Sequence, residues 1–372
     1  MSQQDRVTAA SFHPGEFLKD ALDELGWSQT ELAEIIGRAP RVVNEIVLGK
    51  RAITPDTAKE IGAALGTSAQ YWLNLETAYQ LSKAAPVPDS ITREAELRRR
   101  FPVRELTKRG WLDVGPGESP ADAVCRYFSI ADVSSSLEFT QAAWRKANSE
   151  LSVIQLAWLI RVRQLAGALV VGKYSETRLR DALSTLESLM MDPEEVRHVP
   201  RVLSECGVRF VVVEPMPASK VDGVCFWLDK NRSPVIGMSL KGGDQIDRFW
   251  FNLRHEIEHV LRSDGRDNPV IDNFEDEHRL ESDAERQADE AAANFCVPKA
   301  MMESFIRRHH PIYSKSGLIG FSRIVHRHPG IVAGQIQKRI DRWDLFRNYQ
   351  VKVRHILVSS ALTDGYGITP QL

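Results

Sequence analysis

The sequence predicts a multidomain protein: an all-α domain over residues 1–85 built on a helix-turn-helix, a helical connector over residues 86–200, and an α+β domain over residues 201–372. Three observations carry that division. The first 85 residues are short helical patterns punctuated by Gly and Pro, the texture turns to strands after Cys206, and a His-Glu-x-x-His segment then lies inside a helical apolar pattern. A chain of 372 residues has ample core for two or three domains, and its formal net charge of −2 leaves any nucleic-acid contact to a local patch.

The front elements follow from capping signals. Ser28-Gln29-Thr30-Glu31 is a capping-box start for Leu32-Ala33-Glu34-Ile35-Ile36, and Gly37 stops that helix. Pro40 suits a first helical position, and Arg41 to Leu48 runs on to Gly49. Two short helices joined by a tight glycine turn make a helix-turn-helix. Arg38, Arg41, Lys50 and Arg51 are candidate phosphate contacts, and Arg41 and Asn44 are candidates for base edges. Glu45 lies among them and only accepts hydrogen bonds. Residues 1–85 carry eight Lys or Arg against eleven Asp or Glu, a net of −3, so no general basic field drives binding. The alternative is a helix-turn-helix kept as a platform for dimerisation or peptide sensing.

Ala84 to Ser90 is a linker by composition. Helical patterns follow at Arg93 to Arg100, Thr140 to Asn148, Val153 to Ala168 and Ser175 to Leu189, with Trp111, Trp144 and Trp158 as core candidates. Arg98-Arg99-Arg100 reads as a solvated helix face. No chemistry stands out in this stretch, which reads as a connector or sensor. Strands are expected at Val208–Val213, Gly223–Leu228 and Pro234–Leu240, and a further one at Val351 to Val358. A small sheet before the metal helix points to a peptide adding as an edge strand.

In Arg254-His255-Glu256-Ile257-Glu258-His259-Val260-Leu261 the two histidines are four apart and share a helix face, so both can ligate one metal with Glu256 beside it. A hydrolytic zinc site needs two neutral imidazoles, a third ligand and a carboxylate that takes a proton from water. The helical pattern from Glu281 to Pro298 follows. Its Glu285 and Asp289 share a face, so Glu285 is the candidate third ligand and Asp289 the residue that orients a ligand histidine through its second ring nitrogen. Two alternatives stand beside that choice. Ser282-x-x-Glu285 is also a capping box, and Glu281 lies one turn earlier on the same face.

The His-Glu-x-x-His helix followed by Glu285-Arg286-Gln287-Ala288-Asp289 and the Pro298 stop resembles the ImmA/IrrE family of metallopeptidases. Carried over residue by residue, the resemblance makes His255, His259 and Glu285 the ligands and Glu256 the general base of a zincin-like, gluzincin-type fold holding one Zn2+ per chain. The chain departs from the family pattern at Ile257-Glu258 and Ala291, none of them a ligand. Phe321 to Gln337 resembles the family's C-terminal helical segment, with His328 either a transition-state hydrogen-bond donor or a structural histidine at a helix start. The front domain resembles the XRE-like domain of HigA-type antitoxins in five ordered blocks: His13-Pro14-Gly15-Glu16, Ser28 to Ala33, Gly49 to Thr54, Ala64 to Ser68 and Tyr71 to Leu75. That likeness places the recognition helix at Arg41 to Leu48 and implies operator DNA, a homodimer and a toxin partner.

The expected function is a cytoplasmic DNA-binding regulator whose zinc peptidase domain cuts one protein, be it a repressor, an antitoxin or the chain itself. Its rival is an antitoxin or repressor whose metal domain is structural or senses a ligand. Cys125, Cys206, Cys225 and Cys296 lack paired metal spacing and fit reduced thiols. The longest apolar stretch, Leu156 to Val171, is broken by Arg161, Arg163 and Gln164, so no membrane span is expected.

Overall fold

The computed structural model describes residues 12–135, 151–230, 232–241, 244–266, 268–272 and 282–370. The expected helix at Thr140 to Asn148, with Trp144, and the rival ligand Glu281 lie outside them. The described chain is multidomain, an all-helical first unit ending at Asp89 and an α+β second unit over Ser90–Leu372.

The first unit holds α1 Pro14–Leu25, α2 Gln29–Ile35, α3 Pro40–Val47, α4 Pro55–Leu65 and α5 Ala69–Lys83. Four of the five starts carry a side-chain cap, and α3 starts on Pro40. His13 Nδ1 accepts from Gly15 N at 2.8 Å, Ser28 and Glu31 form the expected capping box, and Thr54 and Ser68 cap α4 and α5. Leu18, Leu22, Leu32, Val43, Ile46, Ile61 and Trp72 form the core. Gly15 permits the close packing of α1 on α3, since a Cβ there would stand 2.1 Å from the Ile46 carbonyl oxygen.

The second unit is built on a five-stranded sheet of order β4-β2-β3-β1-β5, with β1 Arg209–Val213, β2 Gly223–Leu228, β3 Ser233–Met238, β4 Val270–Asp272 and β5 Leu362–Asp364. β1 is parallel to β3 and β5, and β2 is antiparallel to β3 and β4. Side chains alternate between two cores, as strand period dictates. Phe210, Val212, Cys225, Trp227, Ile236 and Met238 face one, and Val211, Val213, Val224, Phe226, Val235 and Ile271 the other.

That second face explains the first part of residues 86–200, which sequence reading set apart as a connector, and the opposite face takes the rest. Helices α6 Asp89–Arg100, α7 Val103–Lys108, α8 Pro120–Phe128 and α9 Val153–Ala168 cover it, burying Leu97, Trp111, Phe128 and Trp158 in one core with the strands. The boundary expected at residue 201 therefore falls inside a compact unit. A buried Arg161–Asp364 ion pair fastens α9 to β5, and Trp111 Nε1 donates to the same carboxylate at 3.0 Å. On the opposite face lie α10 Glu176–Ser188, α11 Val199–Glu205 and α12 Ile246–Leu261. The chain continues through α13 Asp283–Cys296, α14 Lys299–His309, α15 Lys315–Ile324, α16 Pro329–Ile340 and α17 Arg354–Ser360. The strand expected at Val351 to Val358 is instead largely α17, because Val353, Ile356 and Leu357 are buried at i, i+3, i+4 spacing.

Candidate metal centre and nucleic-acid face

Helix α12 carries His255, Glu256 and His259, all fully buried. Its end is set by Ser263 and Gly265, both at positive φ, and a Cβ on Gly265 would stand 2.5 Å from the Cys225 carbonyl oxygen. This turn draws the helix end against β2, where Trp227 Nε1 donates to the Asp264 carbonyl at 2.7 Å.

The two histidine Nε2 atoms face each other at 3.0 Å. His255 Nε2 stands 3.3 Å from Glu285 Oε2, and His259 Nε2 stands 3.6 Å from Glu285 Oε1. The alternative capping box at Ser282 is not formed, and the Glu285 carboxylate faces the histidines instead. A fourth group, which sequence reasoning missed, is the fully buried Asp272 at the end of β4, with Oδ2 3.2 Å from His255 Nε2 and 4.0 Å from His259 Nε2. One ligand atom from each of His255, His259, Asp272 and Glu285 lies within 4.8 Å of all the others. Four ligands around a tetrahedral zinc ion stand about 3.3–3.4 Å apart, from bond lengths of about 2.0–2.1 Å, so this donor set fits that ion.

Both outer ring nitrogens are engaged. His255 Nδ1 lies 2.9 Å from Asp289 Oδ1, as the Glu285/Asp289 spacing predicts, and His259 Nδ1 lies 3.0 Å from Asp264 Oδ2. Each carboxylate holds the N–H on Nδ1 and turns the Nε2 lone pair inward. Two such lone pairs at 3.0 Å repel unless a cation lies between them. Burial disfavours charge on His255, yet the Asp272, Asp289 and Glu285 carboxylates raise its pKa well above the ordinary histidine range, so the pocket favours a positive occupant.

Glu256 sits beside this cluster with both carboxylate oxygens buried. Burial and then the Asp272 charge push its pKa well above the usual carboxylate range, the direction a proton carrier near neutral pH requires. Its space comes from Gly223, where a Cβ would stand 1.8 Å from Glu256 Oε1. His328 is the N-cap of α16, its Nδ1 accepting from Gly330 N at 3.1 Å, and burial lowers its pKa. That is the helix-start role. No local pattern marked Asp264, Asp272 or Gly223, which reach the site through a helix-end turn and strand pairing.

In the first unit the candidate DNA residues are exposed and largely tied to carboxylates. Arg38 makes a bidentate pair with Glu60 at 2.8 and 2.9 Å. Glu45 accepts from Arg41 Nε at 2.7 Å and from Arg51 Nε at 2.8 Å, and Asn44 donates to Gln29 at 3.0 Å. Lys50 is exposed in the turn after α3. The helix expected at Arg41 to Leu48 is observed at Pro40–Val47.

Comparison with known proteins matches both regions. A helix-turn-helix family model covers residues 18–72, and a peptidase-family model, the IrrE N-terminal-like domain, covers residues 207–339. The HTH-type transcriptional regulator YddM of Escherichia coli is 37% identical over 76 residues, which span 20% of this chain and 81% of that protein. Virulence-associated protein I of Dichelobacter nodosus is 42% identical over 82 residues, 22% of this chain and 76% of that protein. The Pseudomonas aeruginosa antitoxin HigA, solved with the higBA promoter, is 40% identical over 19% of this chain and 79% of its own, with a TM-score of 0.19. The chain belongs to the XRE-type helix-turn-helix family through its first domain and carries an ImmA/IrrE-type peptidase domain in its second. Among the described residues no helix is long and apolar enough to cross a membrane.

Proposed function

We propose that this chain, a helix-turn-helix protein joined to an IrrE N-terminal-like domain, is a cytoplasmic DNA-binding transcriptional regulator whose second domain is a zinc-dependent peptidase of narrow substrate range. The observation that carries the proposal is the pair of histidine Nε2 atoms at 3.0 Å, each backed by a carboxylate on Nδ1 and bordered by the Glu285 carboxylate. His255, His259 and Glu285 hold one zinc per chain, and Asp289 and Asp264 fix the imidazole tautomers. When bound, zinc supplies Lewis-acid polarisation of a scissile carbonyl and a lowered pKa for water. Glu256, buried beside the cluster, would act as the general base toward the attacking water and as the proton donor to the leaving amine.

The substrate is a single protein, a repressor, an antitoxin or the chain itself. The helix from Pro40 to Val47 enters a major groove of operator DNA, Arg41 and Asn44 reading bases while Arg38, Lys50 and Arg51 hold phosphates, with the protein acting as a homodimer and a toxin as further partner. A peptidase tethered to a DNA-binding domain meets proteins of the same promoter at high effective concentration. The test compares wild type with Glu256→Gln for promoter output and for the intact masses of the chain and its neighbours. Loss of both cleavage and derepression in a variant that keeps zinc supports the proposal, and derepression equal to wild type overturns it.

A second reading has its own observation. Asp272 makes the cluster a four-ligand set, as in closed structural zinc sites, which fits a repressor whose metal domain senses a ligand without cutting.

A further inference from the structure

A hydrolytic zinc site keeps one coordination position open for water and substrate beside three protein ligands. Here that position has an occupant. Asp272 is fully buried, and its Oδ2 lies 3.2 Å from the metal-facing nitrogen of His255, as close as the Glu285 carboxylate lies. The strand that delivers it is equally placed. Asp272 stands directly opposite Gly223 in the β4–β2 ladder, and Gly223 is the residue whose missing side chain makes room for Glu256. A peptide to be cut must pass Glu256 and the metal together. The backbone edge that leads it there is β2, and β4 already pairs along that edge through Gly223, Val224 and Cys225.

We propose that Val270–Asp272 is an internal occupant of the substrate position: β4 stands in for the substrate strand on β2, and the Asp272 carboxylate fills the fourth coordination position of the metal. The inference rests on the zinc reading above in that a divalent metal must sit between His255 and His259. It reconciles the two functional readings, since a four-ligand site with a general base beside it is a peptidase shut by its own chain. The shutter is small. Three residue pairs hold β4, so a peptide of complementary extended form competes with it directly, and a partner that binds along β2 uncovers the metal.

The test uses the full chain with Co2+ in place of zinc and acetohydroxamate as a small ligand for an open coordination position. Wild type is expected to show the visible spectrum of four-coordinate cobalt, unchanged by acetohydroxamate. Asp272→Ala is expected to shift that spectrum and to take acetohydroxamate at least about 10-fold more tightly, because apparent affinity falls in proportion to the open fraction. Asp272→Asn, which keeps the shape and loses the charge, is expected to lie between them. Equal response of wild type and Asp272→Ala, with equal metal content, overturns the proposal and leaves the zinc reading intact. Failure of wild type to retain cobalt or zinc overturns both. Should Asp272→Ala not fold, the wild-type arm decides alone, since a spectral response to acetohydroxamate there shows an open site.

Discussion

Gly223 and Glu256 share one space: the carboxylate of Glu256 occupies the volume that a side chain at Gly223 would need, with Oε1 1.8 Å from the position of that Cβ. The proposed general base is therefore placed by a backbone approach as well as by its own helix. Gly223→Ala is expected to push the carboxylate aside, retain zinc within error of wild type, and reduce cleavage by at least about 100-fold, the usual contribution of a general base. Metal content and cleavage, measured on the same preparation, check it. Full activity in the alanine variant would refute the placement.

The proposed ligands and their supports are expected to separate by metal affinity. His255→Ala, His259→Ala and Glu285→Ala each strip the metal, whereas Glu256→Gln leaves it in place. Asp289→Asn and Asp264→Asn, which meet the histidines at their outer ring nitrogens, weaken it by about 10- to 100-fold. Competition against a zinc chelator ranks all six. A variant at Asp264 with wild-type affinity would remove that residue from the centre.

Asp247 links stability to pH. It lies at the start of α12, almost fully buried, and burial raises its pKa to about 6. Its neighbour Gly334 admits it, since a Cβ there would stand 2.0 Å from Asp247 Oδ2. A carboxyl that is harder to ionise when folded favours the native state below its unfolded pKa. That contribution is lost as pH rises through the folded value, here between about 4 and 6, by about 3 kcal/mol. Asp247→Asn removes the penalty. Its stability relative to wild type is expected to rise across that window and to stay level above it, as read by denaturant unfolding at pH 4.5, 6 and 8. A constant difference at all three values would exclude Asp247 as the source.

Glu45 holds Arg41 and Arg51 together on the candidate DNA face. Glu45→Gln is expected to free both guanidinium groups for phosphate, raising affinity for unrelated duplexes and steepening the log K against log salt slope by about 1 to 2. Substitution of Arg41 is expected to relax sequence discrimination, and substitution of Lys50 to weaken all duplexes alike. An unchanged salt slope in Glu45→Gln would place the protein–DNA contact elsewhere.

The described helices between residues 89 and 168 cover one face of the sheet and those between 176 and 205 pack on the other, so a fragment starting at residue 201 is expected not to fold, while one starting at residue 90 folds. Asp364→Ala, which leaves Arg161 buried without its partner, is expected to cost about 3–5 kcal/mol. Circular dichroism and denaturant unfolding check both.

What the sequence by itself determined is local. Capping boxes, glycine stops and i, i+4 spacing located α2, α3, α12 and α13 and put His255 and His259 on one face, because helical geometry depends only on near neighbours. The resemblance to the ImmA/IrrE metallopeptidases favoured Glu285 over its local alternatives. Tertiary structure decided what depends on pairing between distant segments. Asp272 meets the histidines only because β4 pairs with β2, and Asp264 is held at His259 by a helix-end turn that packs on β2 through Trp227 and Gly265. Residues 90–200 could not be recognised as part of the second domain for the same reason. A helix that covers a sheet carries the same apolar pattern as one in a separate bundle, and only strands 209–213 and 223–228, with Trp111 bound to a carboxylate 253 residues away, show which surface it buries.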